Sequence, residues 1–95
     1  MVVRKGNPEL DELEQLANDI DPSVWKKVAR KLKIDNPVIT AIDKENEEFY
    51  EKKYTMLQGW KQANGSAATW RELNQALMDA NLRELAEKHC CVKMN

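Results

Sequence analysis

Three times in this 95-residue chain a residue that favours helix capping stands directly before a proline: Asn7–Pro8, Asp21–Pro22 and Asn36–Pro37. Inside a helix, proline removes a hydrogen bond and clashes with the preceding turn. At the first helical position its missing N–H costs nothing and its φ is already set. Each pair is therefore a start signal, and three starts in the first half of so short a chain dictate short helices joined by tight turns.

The apolar residues agree with that punctuation. After Pro8, Leu10, Leu13, Leu16, Ala17 and Ile20 recur at helical spacing, with Asn7 expected as the cap. After Pro22 the buried stripe is Trp25, Val28, Ala29 and Leu32. Asp35 or Asn36 caps a shorter third helix holding Val38, Ile39 and Ile42. A fourth helix is expected from about Glu47 to Ala63, with Phe49, Met56 and Trp60 on one stripe and Tyr50, Tyr54 and Leu57 on the next. So wide an apolar arc suits a helix at the centre of a bundle. Gly59 lies inside it, either for a close helix approach or as a tolerated surface residue.

Asn64, Gly65 and Ser66 stop the fourth helix. Thr69 followed three residues later by Glu72 is a capping-box pattern, so the fifth helix begins at Trp70 and buries Leu73, Ala76 and Leu77. Asn81 stands where a left-handed residue ends that helix. Leu82, Leu85 and Ala86 are expected to face inward from a short sixth. The fold class is all-α, a six-helix antiparallel bundle. Trp25, Leu57, Leu77 and Leu85 are expected in one core. Residues 1–6 read as a flexible lead-in, 7–89 as the folded domain and 90–95 as a flexible tail.

Composition narrows the function. Fifteen basic against sixteen acidic residues leave a net charge of −1, which opposes broad nucleic-acid affinity. No apolar run is long enough to span a bilayer, and no signal-peptide segment is visible, so no membrane insertion is expected. Cys90 and Cys91 are adjacent, a spacing that strains a mutual bridge. With His89 alone beside them they cannot fill a tetrahedral zinc site, and reduced thiols on a fraying end, in a cytoplasmic setting, are expected. No phosphate loop or nucleophile motif occurs, and the carboxylates lie on solvated helix faces; neither catalysis nor a cofactor is expected.

Trp25, Val28, Ala29 and Leu32, then Ile39 and Ile42, then Tyr54, Leu57 and Trp60, then Ala68, Thr69, Leu73, Ala76 and Leu77 form a register over about Leu10–Ala86. In order and spacing it resembles the death domain. Asn81 departs from the glycine common there, but asparagine tolerates the left-handed conformation. Caspase-recruitment, death-effector and pyrin domains share the six-helix plan but usually lack this tryptophan pair. The resemblance implies an interaction module without an active site, assembling with other death domains (its own copies, or those of adaptors or receptors) in apoptotic or inflammatory signalling.

Function is then expected on the charged surface. The first helix carries Glu9, Asp11, Glu12, Glu14 and Asp19 and no basic residue; the second carries Lys26, Lys27, Arg30, Lys31 and Lys33 and no acidic one. Two unlike patches of opposite sign favour head-to-tail contacts, which build rings or helical assemblies. The resemblance implies one such contact, joining the second and third helices of one domain to the first and fourth of the next. Lys27, Arg30 and Lys31 would then face Asp11 and Glu14. Glu45, Glu47, Glu48 and Glu51 add an acidic corner, partly offset by Lys52 and Lys53. Trp70 either offers an exposed interface residue or folds over the bundle end. The alternative is a nucleic-acid-binding helical domain whose basic second helix lies along phosphates, but the rest of the chain is acidic and side chains placed to read base edges are missing.

Overall fold

The computed structural model describes residues 1–93, which form six α-helices and a short two-stranded sheet. In chain order these are β1 (Val2–Val3), α1 (Leu10–Asp19), α2 (Trp25–Lys31), α3 (Asn36–Glu45), α4 (Phe49–Asn64), α5 (Trp70–Asp79), α6 (Arg83–Cys90) and β2 (Cys91–Val92). A single 3₁₀ turn over Gly65–Ala67 joins α4 to α5. Helix α4 packs on α1 and α3, while α5 packs on α6 and α2.

The apolar stripes meet in one core. Leu13, Leu16, Ala17, Trp25, Val28, Ala29, Met56, Leu57, Leu73, Leu77 and Ala86 have almost no exposed surface. Leu82 and Leu85 are only half-buried and cover the edge of that core. Leu10 and Phe49, both expected inside, are exposed at the first residues of α1 and α4.

The helix ends show which local signals were used. Pro37 sits in the first turn of α3 with Asp35 as its cap. The Thr69 hydroxyl accepts from the Glu72 N–H at 3.2 Å at the start of α5. Asn81 has φ +63°, and the N–H groups of Asn81 and Leu82 return to the carbonyls of Met78 and Leu77, closing a Schellman turn. Lys33, with φ +65°, forms the same turn after α2, where the N–H groups of Lys33 and Ile34 donate to the carbonyls of Arg30 and Ala29.

The first two proline signals act differently from expectation. Glu9, not Asn7, caps α1, and the Glu12 carboxylate accepts from the Glu9 N–H at 3.0 Å. Asn7 instead donates to the carbonyls of Ser66 and Ala68 at 3.0 and 2.8 Å, tying the lead-in to the α4–α5 connection. Asp21–Pro22 opens a turn before α2, and the Asp21 carboxylate accepts from the Ser23 N–H and hydroxyl.

The chain ends, read from sequence as flexible, are paired instead. Val2 faces Val92 and Val3 faces Cys91 in an antiparallel ladder, continued by the Arg4 N–H donating to the Cys90 carbonyl at 2.7 Å. Cys90 is fully buried rather than on a fraying end. Residues 94 and 95 of the expected tail lie outside the described residues.

Candidate interaction surfaces

Helix α2 buries Trp25, Val28 and Ala29, and a seven-residue helix with that stripe turned inward must turn Lys27, Arg30 and Lys31 outward. All three are exposed. Lys26 belongs to a different arrangement: its ammonium lies 2.8 Å from Asp43 Oδ2 on α3. Lys33 extends the basic face beyond the helix end, where its left-handed backbone turns the chain toward α3.

On α1, Asp11 and Glu14 are exposed, whereas two of the acids counted with them are spent inside the molecule. Glu12 pairs with Arg4, and the Glu9 N–H, then Arg4, hold its carboxyl below the usual range. One oxygen of Asp19 accepts from Lys88 at 2.8 Å and meets His89 Nε2 at 2.7 Å, which lowers its pKa and ties α1 to α6. Because α1 packs on α4, Glu14 comes beside Tyr50. Partial burial first, then the Glu14 carboxylate, raises the Tyr50 hydroxyl above its ordinary value, with Glu51 and Tyr54 adding to the effect. The Tyr50 and Tyr54 rings stack in parallel, 6.3 Å apart. Asp11 and Glu14 on α1 thus share a side of the molecule with Glu51 on α4, and exposed Glu47 and Glu48 immediately precede that helix.

Lys52 and Lys53 do not offset these acids as expected. Lys52 turns to Asp43, with Nζ 2.6 Å from Oδ1. Lys53 is buried and donates to the Ile20 carbonyl at 2.6 Å. Lys52 is held by a carboxylate at the surface and Lys53 by a buried carbonyl, so neither is left to pair with the solvated glutamates. Asp43, held between Lys26 and Lys52, has its pKa lowered from 3.8 to about 2.

Trp70 is corrected as an exposed interface residue: it is 3% exposed. Its N–H donates to the Gly6 carbonyl and the Arg4 guanidinium lies 4.1 Å from the ring centroid, so the lead-in covers it. Arg4 lies far from Trp70 in the chain, so no local pattern marks the contact.

Two features were missed. Phe49 stands 50% exposed at the start of α4, with the Lys52 ammonium 5.0 Å from its ring centroid. A groove of about 500 Å³ opens where the α2–α3 connection, α3 and the second half of α4 meet, floored by Ile34, Val38, Ile42, Met56 and Trp60. Gly59 borders the groove, and a Cβ built there meets nothing within 4 Å, which settles it as a surface glycine. That glycine was the sequence's one hint of the opening.

The death-domain family model matches residues 10–89, the span of the six-helix bundle from the start of α1 to the last turn of α6. The chain belongs to the death-domain family. Among curated proteins, no sequence matches it. Death domains are protein–protein interaction modules of signalling proteins and associate with other domains of the death fold. Among the described residues of this death domain, no helix is long and apolar enough to cross a membrane. Among the described residues, no group of three or more His, Cys, Asp or Glu side chains is placed to hold a metal ion. Burial pushes the Cys90 thiol up to about 12, which keeps it protonated and a poor nucleophile.

Proposed function

We propose that this death domain is an assembly module of apoptotic or inflammatory signalling in the cytoplasm, without catalysis of its own. It binds other death domains, its own copies included, through faces of opposite sign. Lys27, Arg30 and Lys31 form one face; Asp11 and Glu14, continued by Glu47 and Glu48, form the other. The observation that carries the reading is that these charges remain exposed, while Lys26, Lys52, Lys53, Glu12 and Asp19 are spent on partners within the fold. Exposed charges outside the fold's ion pairs are available for a partner, Glu14 keeping Tyr50 as its neighbour.

Exposed ion pairs contribute only ~0–1 kcal/mol each, so several must act together, and the association should weaken with salt. The test is sedimentation of wild type, Arg30→Glu, Asp11→Lys and the double variant at low and high salt. Each single reversal should reduce association without changing helix content, and the double reversal should recover part of it. Equal association by all four would refute the charged-face reading.

A further inference from the structure

Among the exposed apolar features of this domain, which also include Leu10, Val2 and Val92, Phe49 and the groove beside Gly59 have complementary shapes. We propose that they fit each other between copies: Phe49 of one chain seats in the groove of a second copy of this chain. The inference rests on the reading of the domain as an assembly module and adds to it a specific apolar anchor.

The Phe49 ring is both exposed and held. Lys52 lies over one part of it at 5.0 Å, and Lys52 is itself fixed by Asp43 at 2.6 Å, which Lys26 grips from the other side at 2.8 Å. A ring presented in one orientation loses little freedom on binding, which makes an aromatic side chain a good anchor. Its surroundings are acidic: Glu47, Glu48 and Glu51 are all exposed.

The groove has matching properties. Its floor of Ile34, Val38, Ile42, Met56 and Trp60 is apolar, Val38 is 48% exposed within it, and about 500 Å³ gives room for an aromatic side chain. Lys33 lines its α2 side, continuing the exposed basic run of Lys27, Arg30 and Lys31. Asp35 and Glu72 also line it, so the charge match to the Phe49 corner is made on the α2 side. Phe49 and Trp60 lie at different ends of α4, about 16 Å apart along the axis at the helical rise per residue. The ring therefore cannot fill its own groove. With a net charge of only −1, little overall repulsion opposes approach of two copies.

The geometry allows a complementation experiment with the whole chain. Phe49→Ala removes the knob and keeps the groove. Gly59→Leu keeps the knob and overhangs the groove, into space that is open and on a backbone with ordinary φ, so helix content should hold or rise. By sedimentation equilibrium each variant alone should self-associate about tenfold more weakly than wild type, or more weakly still. Mixed, the intact groove of the first variant and the intact knob of the second should recover a heterodimer that grows no further. Wild-type-like association of both variants, or no recovery on mixing, overturns the proposal. So does an apolar dye, 1-anilinonaphthalene-8-sulfonate, that fills the groove without changing the mass of the wild type. If Arg30→Glu abolishes association while both knob and groove variants assemble normally, only the knob is refuted. If no death domain associates with wild type, the module reading fails with it.

Discussion

Replacing Lys53 with methionine isolates the contribution of one buried ammonium. Helix α1 has no basic residue in its last turn, and its C-terminal carbonyls carry the negative end of the helix dipole. Lys53 supplies the missing cation from α4, 6% exposed, with Nζ 2.6 Å from the Ile20 carbonyl. Methionine keeps the length and apolar stem, so packing changes little and the ammonium is what disappears. A hydrogen bond to a charged group is worth ~1.5–3 kcal/mol, and the carbonyl left behind is buried without a donor. Relief of the lysine's own desolvation works in the opposite direction and takes back part of this. The net cost should be about 1–3 kcal/mol, which for a domain of this size lowers Tm by roughly 5–20 °C. Thermal unfolding followed by circular dichroism measures it, with Lys27→Met as the exposed control expected within about 0.5 kcal/mol of wild type. A Lys53→Met protein as stable as that control would show that desolvation cancels the bond and that Lys53 does not hold α1 to α4.

Leu57→Ala should cost about 2–5 kcal/mol, because Leu57 is fully buried in α4 at the meeting point of the apolar stripes; near-unchanged thermal unfolding would refute that placement. Asp43, lowered from 3.8 to about 2 by Lys26 and Lys52, contributes stability that is full above pH 3.8 and lost as pH falls through about 2. Tm measured from pH 5 to pH 2 should therefore fall less steeply in Asp43→Asn than in wild type, and parallel curves would rule out a role for that bridge.

Much of the bundle was legible because its signals are local. Helical periodicity placed Leu13, Trp25, Met56 and Leu77, and the left-handed tolerance of asparagine placed the end of α5 at Asn81. Where the reading failed, a distant partner outweighed the local signal. Asn7 had the chemistry of a cap, but carbonyls at Ser66 and Ala68 took both of its donor bonds. No pattern around Lys53 marks it for burial, since its acceptor lies 33 residues away at Ile20. Trp70 at a helix start fits either an exposed or a covered position, and the distant Arg4 across its ring decides it. The paired ends escaped notice because two-residue strands are too short to show alternation. The charged faces were visible as blocks of like sign. Which charges stay free was not, because ion pairing such as Asp19 with Lys88 depends on the tertiary fold.

The pairing of Val2–Val3 with Cys91–Val92 also decides how the molecule meets mechanical load. In the antiparallel register Val2 lies opposite Val92, so Met1 and Lys93 leave the ladder at the same end. A pull that separates these two points acts across the ladder rather than along it. Its hydrogen bonds are then loaded one after another, from Val2 inward to the Arg4–Cys90 bond, and never share the force. Such a seam peels at low tension. After it the pull reaches Arg4 on one side, and through it the cover over Trp70 and the link to Glu12, and on the other the C-terminal turn of α6 at Cys90.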